Sequence, residues 1–296
     1  PSDHKERLGH HEQHEALVVE LEVAFFLGVQ VFVQMEYAPF AAQEKSDLFE
    51  MHPDWLFKHD GKPWPGGVNW GPFYALDIDN PKVTAYLEEV FDTILNKWGF
   101  DLVKLDFLYA AAPYGTDIES RAGRMIRAMK LLRRLCGDKL ILGCGVPLAS
   151  AFGKVEYCRI GPDMTLDYND KLYMRLFHNE RPSTLHTQRN TLYRRQLDGR
   201  AFRNDPDVFL LRDENNTLTQ TQKETLAKVN ALFGSVLFGS DDFGKYNEAK
   251  HQLFTELCAL QTATDVTVEV KSLGKTHEVR VIYVLNGKKE ALELTL

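Results

Sequence analysis

Along the chain, apolar positions recur in two spacings that alternate for most of its length. Residues 16–27, "ALVVELEVAFFL", form an apolar helical pattern that Gly28 ends, and "VQVFVQ" (29–34) follows as a short strand. Asn80 and Pro81 read as the N-cap and first position of a helix. Val83, Leu87, Val90, Phe91, Ile94 and Trp98 would line its buried stripe. "LVKLDF" (102–107) is the next strand. Ile118, Ala122, Met125, Met129 and Leu132 mark a second helix, with Gly137 beyond its end. "KLILGCG" (139–145) and "VEYCRI" (155–160) are strands with a much shortened helix between them. Residues 180–197 read as a basic helix, "DVFLLR" (207–212) and "SVLFGS" (235–240) as strands. Thr219 and Gln222 fit a capping box opening a helix through Leu232, and a last helix runs from Tyr246 to Leu260.

Strands that alternate with helices predict an α/β protein with a parallel sheet. The pattern changes after Thr262. "VTVEVKSLG", "HEVRVIYVLNG" and "KEALELTL" alternate apolar with polar residues, and Asn286-Gly287 signals a type I′ turn, so a small antiparallel sheet is expected there. The predicted organisation is a (β/α) unit over 1–262 and an antiparallel region over 263–296. Residues 39–80 are rich in Pro, Gly and Trp and read as one long functional loop.

Within "LVKLDF", Lys104 and Asp106 lie two apart and therefore share one face of the strand. A cation and a carboxylate at the end of a buried strand are costly unless paired or used. At the C-terminal ends of the other strands stand Cys144, Arg159 with Asp163, Asp205 with Asp207, and Asp241 with Asp242. In an eight-stranded α/β barrel those ends carry the chemistry. Several carboxylates without HxH or HExxH spacing point to paired-carboxylate acid–base work rather than a metal site. Trp55, Trp64, Trp70 and Phe73 on the long loop suit the apolar faces of a sugar. "NDPD" (204–207) reads first as a turn that holds neighbouring loops, and Asp241 and Asp242 read the same way. "HHEQH" (10–14) lacks the HExxH placement of a zinc site and reads as solvated helix.

The blocks "HPDWL", "LDIDNP", "LVKLDFLYA", "GCGVPL", "CRIGPDM" and "NDPDVFLLR" together resemble glycoside hydrolase family 36, the α-galactosidases, in that family's order from about Ser46 to Asp242. The resemblance implies a (β/α)₈ TIM-type barrel and a retaining α-galactosidase acting on oligosaccharides such as melibiose or raffinose. It implies that Asp106 is the nucleophile and Asp163 the general acid/base. Lys104, Cys144, Arg159 and Trp70 would line the sugar subsite, with Trp64 competing for the place of Trp70. No cofactor and no metal are implied. Galactosyl transfer of the raffinose or stachyose synthase kind is the alternative within that fold. An unrelated barrel lyase using Lys104 as a Schiff base is a weaker one, since a salt-bridged lysine keeps its proton.

Six barrel strands are counted, starting near 29, 102, 139, 155, 207 and 235, so the first two of eight and their acidic pair are not found. The further alternative is therefore a catalytically silent fragment, and residues 1–296 alone are expected to turn over little substrate.

Composition narrows the rest. A chain of 296 residues with 44% hydrophobic residues, mean hydropathy −0.31 and net charge −7 is globular, and it carries no dense basic tract for nucleic acid. No apolar run is long enough for a membrane span. The four cysteines form no CxxC pair, which suits a reducing compartment and a cytoplasmic location. An α-galactoside is the expected partner, and a homo-oligomer is compatible with these numbers.

Overall fold

A computed structural model describes residues 34–67, 72–115, 119–177, 181–273 and 276–296. The helix expected over 16–27, most of the strand expected over 29–34, the 10–14 histidines and Trp70 lie outside the described residues. Among them the chain divides into two compact units, 1–156 and 157–296.

In the first unit, β1 (Gln34–Tyr37) is followed by β2 (Ala41–Gln43), the short helix α1 (Asp47–Met51), and the hairpin of β3 (Lys58–His59) and β4 (Lys62–Pro63). Asp60 and Gly61 take the positive φ values of 50° and 74° that this tight turn needs. β5 (Pro65–Gly67) and β6 (Phe73–Ala75) complete the segment, β6 pairing antiparallel with both β2 and β5. Among the described residues, the long loop expected over 39–80 thus holds a three-stranded antiparallel sheet, a separate hairpin and a short helix. Its Pro and Gly residues hid that from periodicity, because strands of two or three residues are too short to show a period.

Asn80 caps α2 (Pro81–Asp92), accepting the Lys82 N–H at 3.0 Å. Its last turn widens into a π-helix over Thr93–Lys97. The inserted register buries Leu95 and leaves Trp98 54% exposed, so the helical stripe holds at Val83, Leu87, Phe91 and Ile94 and fails at Trp98.

β7 (Leu102–Leu105) lies between β1 and a later strand, β8 (Leu140–Gly143), parallel to both. Between them runs α3 (Arg121–Cys136), capped by Ser120 and ended by Gly137 at φ 54°. Its buried face is Arg124, Met125, Ala128, Met129, Leu132 and Cys136, whereas Ala122 is exposed. Arg124 is buried because Asp77 and Asp79 pair with its guanidinium and the Ala111 carbonyl accepts from Nε at 2.9 Å. A buried cation is tolerated only with such partners. α4 (Leu148–Ala151) is the shortened helix.

The second unit begins with β9 (Tyr157–Arg159) and continues through α5 (Leu172–Phe177) and α6 (Thr184–Arg194) to β10 (Arg203–Asp205), which pairs parallel with β9. The expected strands at 207–212 and 235–240 reduce to a single parallel bridge, Phe209 to Gly239. Side chains replace the missing ladder. Asp241 accepts from the N–H groups of Leu211 at 2.5 Å and Arg212 at 3.1 Å, and from the Tyr246 hydroxyl at 2.6 Å.

The Thr219–Gln222 capping box forms and opens α7 (Gln220–Phe233), while Asn247 caps α8 (Glu248–Leu260). β11 (Thr264–Leu273), β12 (Thr276–Leu285) and β13 (Lys288–Thr295) make the expected antiparallel sheet. Val279, Val281 and Tyr283 alternate inward on β12 and join Leu226, Val229, Phe233 and Leu257 in this unit's core. Among the described residues the parallel strands form no closed ring.

Candidate active site

The first unit presents one carboxylate on a shelf made by backbone. β7 stops at Leu105, and Asp106 follows half-buried at its C-terminal end. The Asp106 carboxylate accepts the N–H of Phe107 at 2.6 Å. Phe107 itself takes φ 51°, a left-handed conformation that costs a bulky residue on the order of 1–3 kcal/mol and clusters at functional sites. The chain leaving β8 clamps this turn. Cys144 donates its N–H to the Leu105 carbonyl at 2.8 Å, and the Gly145 carbonyl accepts the Tyr109 N–H at 2.8 Å. Gly145 has φ 58°, and a Cβ there would stand 3.2 Å from the Phe107 backbone and 3.4 Å from the Asp106 carboxylate. The second glycine of "GCGVPL" is therefore needed for close approach to the Asp106 turn.

Lys104 is half-buried on β7, and Cys144 is buried beside the same turn. Phe73, Phe107 and Tyr109 close the apolar side, with the Phe73 and Phe107 rings 5.2 Å apart. Trp64 packs instead with His59 and Tyr114. The "HPDWL" and "LDIDNP" blocks clasp one another: Leu56 bridges Leu76, the Asp77 N–H donates to the Trp55 carbonyl at 2.8 Å, and Asn80 Nδ2 donates to the Asp54 carbonyl at 3.0 Å. These contacts tie the two blocks together within the unit.

The second unit builds its carboxylate around a cation. Arg159 ends β9 with its side chain 6% exposed. Its Nε meets Asp205 at 2.9 Å, Nη2 meets Asp207 at 2.7 Å, and Nη1 meets Asp163 at 3.0 Å. Asp205 is the direct ladder partner of Arg159 on β10, so the two strands aim the pair at each other. The turn carrying Asp163 is held at three further points. Ile160 N–H donates to the Asp205 carbonyl at 3.0 Å, Thr187 Oγ1 to the Pro162 carbonyl at 3.0 Å, and Met164 N–H to the Asp207 carboxylate at 2.6 Å. Asp163 alone among the three carboxylates opens to solvent, with half its side chain exposed.

Asp207 carries two marks of a special position. Its φ is +79°, and burial pushes its carboxyl up to about 6, aided by the charges of Asp205 and Asp163 and opposed by Arg159 and the Met164 N–H.

Within the first unit the structure thus gathers Lys104, Asp106 and Cys144, and within the second Arg159 and Asp163. Asp205 and Asp207, read from sequence as turn residues, belong to the Asp163 cluster. Asp205 lies on a strand that sequence patterning missed, because "RND" shows no apolar alternation when its buried side chains are charged and paired. Their signal was present as two carboxylates flanking Pro206 directly after a short buried stretch. Asp241 is a backbone clamp, and Asp242 caps a 3₁₀ turn.

Among solved structures, an alpha-galactosidase from Thermus thermophilus in complex with p-nitrophenyl alpha-D-galactopyranoside matches at 30% identity and TM-score 0.68. That match covers 86% of this chain and 50% of that one. The similarity is to alpha-galactosidases. The same Thermus protein in complex with stachyose matches over 76% of this chain at TM-score 0.67. A family 36 alpha-galactosidase from Geobacillus stearothermophilus shares the fold at 15% identity and TM-score 0.52, covering 88% of this chain and 36% of that one. The chain thus spans about half the length of the Thermus structures it matches. No protein-family model matches it.

Proposed function

We propose that this chain carries the catalytic carboxylates of a retaining α-galactosidase of glycoside hydrolase family 36, on a (β/α)₈-type barrel spanning residues up to 262. Asp106 attacks the anomeric carbon while Asp163 protonates the leaving glycosidic oxygen. Asp163 then takes a proton from water, which hydrolyses the β-linked galactosyl ester on Asp106 and releases galactose with its original configuration. Lys104, beside Asp106 on one strand face, offers a cation to the carboxylate and to sugar hydroxyls. Cys144 and Trp70 are assigned to the sugar pocket, and Arg159 orients Asp163. The proposed location is cytoplasmic.

The observation that carries this reading is the 30% match to the Thermus alpha-galactosidase across 86% of the chain. It coincides with a strand-end carboxylate in each unit, each locked in place by a different set of contacts. Phe107 at φ 51° and Gly145 in close approach are features with no purpose in a plain strand end.

The test is covalent trapping with a 2-fluoro-galactosyl reagent bearing a good leaving group. A single turnover leaves a mass increment, so a slow chain still reports. We expect the fluorogalactosyl ester on the peptide containing Asp106. An adduct elsewhere would reassign the nucleophile, and a folded chain giving no adduct would leave the silent-fragment reading in its place. Retention is read separately, by NMR of the first-formed galactose anomer. A retaining reaction releases the α anomer first, and the β anomer first would overturn retention.

A further inference from the structure

The proposed mechanism needs Asp163 held where it can pass a proton to the leaving oxygen. The second unit shows how it is held. Arg159 does not face Asp163 alone. Its Nε is taken by Asp205, fully buried, and its Nη2 by Asp207, 8% exposed, leaving Nη1 for Asp163. The guanidinium fork is planar and rigid, so two fixed partners determine where the third nitrogen points.

We propose that Asp207 is a positioning residue for the acid/base Asp163, locking the Arg159 guanidinium so that Nη1 is directed at Asp163. This inference rests on the assignment of Asp163 as the acid/base.

Three observations support it. Asp207 binds both ends of the device: one carboxylate oxygen faces Arg159, and the other accepts the Met164 N–H at 2.6 Å, the residue after Asp163. Its backbone is held at φ +79°, where glycine would rest without strain, so the side chain is retained against a local cost on the order of 1–3 kcal/mol. The surroundings enforce that backbone, since Asp205 accepts the Asp207 N–H at 2.8 Å and Asn230 Nδ2 donates to the Asp207 carbonyl at 2.9 Å. Among the described residues, the charged groups facing Asp207 are Arg159 from β9, Asp163 from the turn after β9 and Asp205 from β10. Its carboxyl, raised by burial to about 6, gives the lock a pH dependence. Above that value the carboxylate holds Nη2 as an ion pair, and below it the ion pair is lost.

The experiment follows the Arg159 guanidinium N–H resonances by NMR between pH 5 and 7.5 in the full chain. In the wild type they should shift with a midpoint near 6. In Asp207→Asn that step should vanish, and in Asp207→Glu it should return. A wild-type guanidinium that does not titrate, or a step that survives in Asp207→Asn, overturns the proposal without need of any activity.

Kinetics provide the second arm. Asp207→Asn should lower kcat about 10-fold or more for a natural galactoside with a poor leaving group, with KM little changed. It should lower kcat less for an activated aryl galactoside, and Asp207→Glu should recover most of the loss. Equal losses on both substrates would show that Asp207 does not act through the proton donor. Absence of turnover in the wild-type chain would favour the silent-fragment alternative, while the guanidinium step would still decide the role of Asp207.

Discussion

The two proposed catalytic carboxylates, one in each unit, are held by opposite means. Asp106 sits on a turn shaped by backbone: a left-handed Phe107, a glycine pressed to within van der Waals contact, and main-chain hydrogen bonds from residues 144–145. Asp163 sits on a turn shaped by charge, tied to one buried arginine that two further carboxylates share. The difference fits the two tasks proposed for them. A nucleophile must arrive at one carbon along one line, so rigidity matters most. An acid/base must exchange protons with leaving group and water, so it needs solvent access and a managed electrostatic environment. Half of the Asp163 side chain is exposed, while its two companions are buried.

Removing the proposed nucleophile should have the largest effect. Asp106→Asn is expected to lower kcat for any α-galactoside by at least roughly 10³-fold, with the thermal unfolding midpoint nearly unchanged. Retained turnover would show that the backbone-held carboxylate is structural. Asp163→Asn should cost about 10²–10⁴-fold on a poor leaving group and much less on an activated aryl galactoside. Equal losses on the two substrates would erase the distinction between the carboxylates.

Gly145→Ala tests the backbone-built side alone. A Cβ there meets the Phe107 backbone at 3.2 Å and must also adopt positive φ. We expect a drop of roughly 1–2 kcal/mol in unfolding free energy and at least about a 10-fold loss in kcat, as the Asp106 turn is displaced. A variant with lowered stability but normal kcat would break the link between that glycine and the carboxylate.

The charge-built side should reveal itself in pH dependence. Asp207 is nearly fully buried with its carboxyl raised to about 6, so the folded state binds this proton more tightly than the unfolded state does. The stabilisation is fully present below the unfolded carboxyl value near 4 and is lost as pH rises through about 6, by up to ~3 kcal/mol. The opposite sign applies to Asp79, whose pairing with Arg127 and Arg124 holds its carboxyl below the ordinary range and favours folding above it. Comparing denaturant unfolding of wild type and Asp207→Asn between pH 4 and 7 isolates the Asp207 contribution. The wild type should lose stability relative to the variant across that interval, and parallel curves would contradict it.

The smallest effect belongs to a site far from either carboxylate in sequence and role. Gly287 occupies φ 75° in the β12–β13 turn with open space where a Cβ would go. Gly287→Ala should cost about 1 kcal/mol of stability from backbone strain and leave catalysis unchanged.

What could be read from sequence alone has a common character: every signal acts within about four residues. Asn80 with Pro81, the Thr219–Gln222 capping box, and Asn286-Gly287 each place their partner one turn away, and each forms as expected. The strands at 102, 140 and 157 were visible because apolar residues fill them, and the family-like blocks brought Asp106 and Asp163 to notice. Tertiary structure decided the rest. Trp98 left its helical stripe because a π-turn shifts the register by one residue, which no local pattern announces. The expected strands at 207–212 and 235–240 shrank to one bridge, while polar "RND" became a strand, because Asp205 is buried against an arginine 46 positions away. A charged residue in a core has no periodicity to read, since its burial depends on a partner that only folding supplies. For the same reason Asp207 looked like a turn residue in the sequence, and its contact with Arg159 exists only once the chain has folded.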